Sequence, residues 1–111
     1  MDSIRQEKIA RLIQKEIGSI FTKGEVTVAP KIMISVTKVR VSSDLSIAKI
    51  YLSLFPAADK KEVMENIIFH GGEIRYALGR RVGKQLRHTP ELQFYLDDSF
   101  DYAAKIDQLL K

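Results

Sequence analysis

Near the start of the chain, apolar residues recur at three- and four-residue steps. Ile9, Leu12, Ile13, Ile17, Ile20 and Phe21 form one stripe, while Lys8, Arg11, Gln14 and Lys15 fall largely elsewhere. This period predicts an amphipathic helix from about Ile4 to Thr22. Ser3 and Gln6 have the spacing of a capping box, and Gly24 supplies a stop.

The period then changes to two. Val26 and Val28 alternate with polar neighbours, Pro30 interrupts, and Ile32, Ile34 and Val36 alternate again. Residues 26–41 therefore read as one strand. Within it the phase flips to Val39 and Val41, which predicts a bulge near Thr37-Lys38. Ser42-Ser43-Asp44 is a turn cluster. From Ile47 to Phe55 a second strand carries Ala48, Ile50, Leu52 and Leu54 on one face. Ile47, Tyr51 and Phe55 share the other face with Lys49 and Ser53. Apolar groups on both faces predict a central strand, and the short link predicts an antiparallel hairpin.

Helical spacing returns from about Asp59 to Arg87, through Val63, Ile67, Ile74, Leu78, Val82 and Leu86. Gly71, Gly72, Gly79 and Gly83 interrupt the pattern, each costing about 1 kcal/mol relative to alanine inside a helix. A kink is expected, placed at Gly79. His88-Thr89-Pro90 ends the stretch. Leu92, Phe94 and Leu96 then alternate as a third strand, and Ser99 opens a helical pattern to Leu110. The crossover from the second strand to the third suits a parallel pairing. The fold class read from this order is α+β: α-β-β-α-(kink)-α-β plus a C-terminal helix. It is a three-stranded mixed sheet with helices on one face. One domain over residues 1–111 is expected, with a core at about 4–97 and the last helix at about 99–110.

Composition narrows the chemistry. None of the 111 residues is cysteine, which removes disulfides, thiolate metal sites and cysteine nucleophiles and fits a reducing compartment. No apolar run approaches the ~20 residues that span a bilayer. The first residues are charged and lack the apolar region of a secretory signal. A soluble cytoplasmic protein is expected. His70 and His88 are the only histidines and have no tight ligand spacing. Asp97, Asp98 and Asp101 read as turn and cap residues rather than as a cation site. With no P-loop, nucleophile elbow or dinucleotide fingerprint, an enzyme is not expected, nor a cofactor or a metal.

The net charge is +4, and residues 73–96 alone carry five basic and two acidic groups. At positions i, i+4 and i+7, Arg80, Lys84 and Arg87 share one exposed stripe, with Arg75 and Arg81 at the border of the apolar stripe. A cationic stripe of this kind suits a run of phosphates. Gly79 has two readings: a packing glycine that allows close approach, or a kink presenting backbone N–H groups to a phosphate.

The element order resembles a type II KH domain, and three stretches resemble the ribosome-binding factor A family. These are Arg11–Ile17, Val39–Ser53, and Ile74–Val82 continuing through Leu86-Arg87 to Pro90–Ser99. Ala77-Leu78-Gly79 is similar to that family's Ala-x-Gly helix–kink–helix. The ordinary KH signature Gly-x-x-Gly is absent. Some members carry a longer tail after the third strand, so contacts from such a tail are not assumed for this sequence. The resemblance implies a factor that binds the free small ribosomal subunit (30S) and its 16S rRNA. It would assist late maturation of that RNA, including processing of the 5′ end, and then leave. It makes Arg75, Tyr76, Gly79, Arg80, Arg81, Lys84 and Arg87 the main RNA-contact candidates, with Lys38, Arg40 and Lys49 in the hairpin behind them. A monomer is expected. Two other readings stay open: a general KH-like RNA-binding module and a non-catalytic protein-interaction domain.

Overall fold

A computed structural model describes residues 3–29, 31–55 and 59–97. In chain order the elements are α1 (Ile4–Lys23), β1 (Met33–Val41), β2 (Ile47–Phe55), α2 (Lys60–Phe69), α3 (Gly71–Val82) and β3 (Glu91–Leu96). The helical pattern read over 99–110 lies outside the described residues.

Helix α1 starts and stops by side-chain chemistry. The Ser3 hydroxyl accepts from the Gln6 backbone N–H, and the Gln6 side chain accepts from the Ser3 N–H, which closes the expected capping box. At the other end Gly24 takes a left-handed conformation, φ 72°. Its N–H reaches Phe21 O at 3.3 Å, and the Glu25 N–H reaches Ile20 O at 3.1 Å. This pair of bonds is a Schellman motif, which satisfies carbonyls the helix end would otherwise leave open. Val26, read as the start of a strand, instead folds over this helix end and is buried. The strand begins only at Met33. The physical reason lies in the sequence: a proline at position 30 has no N–H to give a ladder, and Ile32 N bonds to Ala29 O in a turn.

The sheet order is β1-β2-β3, with β1 and β2 antiparallel and β2 and β3 parallel. The register shifts between Val36 and Lys38, at the expected bulge. The shift keeps both halves of β1 in phase with the core. Val39 and Val41 point inward with Ala48, Ile50, Leu52, Leu54 and Phe94. Against them pack Ile9, Ile13, Ile17 and Ile20 of α1, Ile67 of α2, and Ile74, Leu78 and Val82 of α3. Burying each large aliphatic side chain contributes about 1.5–3 kcal/mol.

The long helical stretch breaks at His70, not at Gly79. His70 (φ −88°, ψ 12°) closes α2 and opens α3, whereas Ala77-Leu78-Gly79 lies inside α3 without a break. Two adjacent glycines, Gly71 and Gly72, weaken the helix at that point, and Phe69 beside them is 82% exposed, so no packing opposes the break. Around Gly79, by contrast, Ile74, Leu78 and Val82 are all fully buried and hold the helix to the core. Helix α3 also ends at Val82, short of the expected Arg87, and residues 83–85 form a turn.

The β1–β2 turn is held by one carboxylate. Asp44 Oδ1 accepts from Ser46 Oγ at 2.7 Å, Ser42 Oγ at 2.8 Å and Ser46 N at 3.1 Å. The Ser46 and Ser42 hydrogen bonds hold its carboxyl down to about 2 from an ordinary value of 3.8. Because the folded value is the lower one, this stabilisation is present above about 3.8 and is lost as pH falls through about 2. Asp44→Asn is expected to destabilise the neutral protein, with the gap to wild type closing across that window; urea melts at stepped pH read it. A second expectation concerns glycine. Gly24→Ala forces a side chain into the left-handed region and should cost about 1–2 kcal/mol. Gly18→Ala, with nothing within 4 Å of the new Cβ, should gain up to about 1 kcal/mol. Opposite shifts of the urea midpoint check both.

Candidate nucleic-acid interface

Helix α3 presents three kinds of position: buried aliphatics, a side held by other elements, and an exposed side. The held side accounts for two of the predicted RNA contacts. Arg81 has a 19% exposed side chain and bridges two carboxylates. It bonds Glu16 on α1 at 3.0 Å and makes a short ion pair with Glu25 just past the α1 cap. The hydrogen bond from Arg81 holds the Glu25 carboxyl below its usual range, and Glu25 and Glu16 hold the guanidinium above its own. Arg81 is therefore a clamp between α3 and the end of α1. Its partners stand 65 and 56 residues away in the chain, so helical periodicity placed it at the border of the apolar stripe without showing what holds it.

Arg75 faces another direction. Its Nε donates to Pro90 O at 3.1 Å and its NH2 to Thr89 O at 2.7 Å. Gly79 serves the same junction: a Cβ there would sit 3.0 Å from Thr89 Oγ1. Its position matches the packing reading, with the loop before β3 lying close against α3. Ala77, Leu78 and Gly79 thus form a packed helix segment, with Leu78 fully buried, rather than a kink.

The exposed side keeps Tyr76 and Arg80. Tyr76 is 71% exposed. Both line a shallow groove of about 770 Å³ together with Glu25, Gly72, Glu73 and Arg81. Lys84 and Arg87 are exposed but stand beyond the end of α3, so the three cations do not form the continuous helical stripe that the spacing predicted. Arg87 instead borders a separate groove of about 500 Å³ with Arg5, Arg75, His88 and Leu45. The helix break adds residues that periodicity had passed over. Phe69 and Ile68 are exposed, and His70 Nδ1 lies 3.1 Å from Glu73 Oε1. The available signal was two apolar residues next to a glycine pair, out of phase with Val63 and Ile67.

Lys38, Arg40 and Lys49 all point away from the helices, on the outer face of the sheet. The register places Arg40 opposite Lys49, and Lys38 opposite Tyr51. Asp97 accepts from Thr37 Oγ1 at 2.6 Å, while Asp98 and Asp101 lie outside the described residues. Among the described residues no group of three or more His, Cys, Asp or Glu is placed to hold a metal ion. No helix among them is long and apolar enough to cross a membrane.

The clamp and the exposed cation separate under mutation. Arg81→Met should lower the urea midpoint while leaving RNA affinity of the folded protein within about twofold, because a cation held by two carboxylates has little left for a phosphate. Arg80→Glu should leave the midpoint in place and reduce the salt slope of RNA binding by about 1. Titration at several salt concentrations, run beside the melts, reads both.

Solved structures share this architecture. A crystal structure of ribosome-binding factor A from Thermus thermophilus superposes with a TM-score of 0.67 at 20% identity, covering 82% of this chain and 94% of that one. A homology model of the Thermus thermophilus factor, fitted into a cryo-EM map of a 30S complex of that factor, gives 0.61 at 21% identity, covering 88% and 97%. Both agree in fold. The sequence relation is closer elsewhere. Ribosome-binding factor A of Cytophaga hutchinsonii is 47% identical over 110 residues, covering 99% of this chain and 83% of the relative. That of Flavobacterium johnsoniae is 46% identical over 112 residues, covering 99% and 85%. The family model for ribosome-binding factor A matches residues 5–110, and with these relatives it establishes that the chain belongs to the ribosome-binding factor A family.

Proposed function

We propose that this protein binds the small ribosomal subunit through its 16S rRNA and serves in the assembly of that subunit. The observation that carries the reading is the family match over residues 5–110. Within it we assign a role in late maturation of the RNA, including the 5′ end, exerted by binding rather than by chemistry on a substrate. The protein acts in the cytoplasm as a monomeric single domain.

The exposed cations support the RNA part of this reading. Arg80, Lys84 and Arg87 are exposed around the end of α3, and none has an ion pair among the described residues. Tyr76 beside Arg80 offers a ring to an unpaired base. Arg81 and Arg75 contribute indirectly, by fixing α3 against α1 and against the loop that leads into β3. The surface recognises phosphates in a folded arrangement, so shape rather than a short sequence decides the ligand.

Co-sedimentation with separated ribosomal particles at two salt concentrations tests the function. Binding is expected on free small subunits, weakened by salt, with little on large subunits or joined ribosomes. Equal binding to every RNA-containing particle would reduce the protein to a general RNA-binding module, and binding that survives ribonuclease would make it a protein-interaction domain. Reversing Arg80, Lys84 and Arg87 to Glu should reduce the log–log salt slope by about 3 with the circular dichroism spectrum unchanged.

A further inference from the structure

Among the described residues, the helices cover only one face of the sheet. The other face carries a chemistry of its own, arranged in rows across the strands. One row is Lys38, Tyr51 and Tyr95; the next is Arg40, Lys49 and Gln93. The two tyrosine rings stack with centroids 5.4 Å apart and planes 26° apart. Tyr95 Oη donates to Gln93 Oε1 at 2.9 Å, which fixes the ring over its own strand. Tyr95 is 40% exposed, and Lys38, Arg40 and Lys49 are exposed beside the pair. None of the three cations has an ion pair with a carboxylate among the described residues.

We infer that this outer face is a second RNA surface, on which unpaired bases stack on Tyr51 and Tyr95 while Lys38, Arg40 and Lys49 take the flanking phosphates. The inference rests on the RNA-binding reading above and adds to it a ligand class, single-stranded RNA, and a place remote from α3. Lysines on a sheet often protect an edge from pairing with another chain. That explanation fails for Lys49, because β2 is the central strand and is paired on both sides. A protein partner fits less well, since interface cores are depleted in lysine. Here the cations stand beside the rings on β1 and β2, with Asp97 on the opposite side of the tyrosine row, and the large apolar side chains Met33 and Phe55 pair with each other at the far end of the hairpin. Stacking on aromatic rings beside cations is the pattern that binds single strands with little regard to sequence.

The test uses the full chain and three probes: an eight-nucleotide oligouridine, an abasic ribose-phosphate oligomer of the same length and charge, and free small subunits. Wild type should bind the oligouridine more tightly than the abasic oligomer. Y51T/Y95T, which keeps strand-forming residues, should lose about tenfold or more in affinity for the oligouridine, with abasic binding unchanged. Y51F/Y95F should restore the affinity, because the ring and not the hydroxyl does the stacking. Equal wild-type affinity for the two oligomers would overturn the inference, as would an unimpaired threonine variant. If the threonine variant binds small subunits poorly but oligouridine normally, the face docks protein and the RNA assignment falls. Photo-crosslinking of wild type to 4-thiouridine oligomer needs no folded variant: crosslinks are expected in residues 47–55 and 91–97, and crosslinks confined to residues 69–87 would refute the platform. Retained small-subunit binding alongside any of these failures would sink this inference alone. Loss of small-subunit binding by wild type would sink the function itself.

Discussion

The layer of side chains between the helices and the inner face of the sheet determines the position of everything else. Ile13, Ile17 and Ile20 of α1, Ile50 and Leu52 of β2, and Ile74, Leu78 and Val82 of α3 are all without solvent exposure. The layer is apolar, and no buried polar or charged residue occurs in it among the described residues. It therefore carries no directional bonds, and direction comes from its rim. The Arg81 clamp ties α3 to the end of α1, the Arg75 bonds tie α3 to the loop before β3, and Asp44 ties the hairpin turn to itself. Burial supplies the stability and these few polar groups supply the geometry.

Local chemistry made much of the fold legible from the chain. The capping box at Ser3, the left-handed stop at Gly24, the bulge after Val36 and the full extent of β2 each depend on residues within a few positions of one another. The errors came where distant residues decide the outcome. Gly79 read as a kink because an interior glycine weakens a helix, yet the packing of Ile74, Leu78 and Val82 outweighs that cost. Arg81 read as a border cation available to RNA, because Glu16 and Glu25 could not be placed beside it from periodicity. Val26 read as a strand residue because alternation does not distinguish a strand from a segment folded over a helix end. Alternation placed Lys49 and Tyr51 on one face of β2, but the pairing of Tyr51 with Tyr95 depends on the parallel register of β3, which no turn chemistry announces.

The two candidate RNA surfaces differ in character. The one around α3 is made of cations and one tyrosine on a helix and its following loop, flanked by Glu25 and Glu73. Opposite charges within that groove favour a ligand of defined shape over any polyanion. The sheet face has aromatic rings at its centre and a regular spacing set by the strands, which suits a flexible ligand that can lie flat. A folded particle still being assembled offers both kinds of RNA, paired helices and strands that have yet to find partners.

The bulge in β1 behaves as a correction of reading frame. Upstream, even-numbered positions Ile34 and Val36 face the core; downstream, odd-numbered Val39 and Val41 do. Thr37 is the residue that absorbs the change, since the ladder passes from Val36 directly to Lys38. Without it, Ile34, Val36, Val39 and Val41 would alternate strictly with Ser35, Lys38 and Arg40, and the aliphatic layer would be served equally well. Thr37 is thus surplus to the core, and its work lies on the other side of the sheet. There its hydroxyl donates to Asp97 at 2.6 Å, just past the end of β3, and lies 3.3 Å from Tyr51 O. The extra residue acts as a latch across all three strands, fastening the end of the last one to the middle of the first.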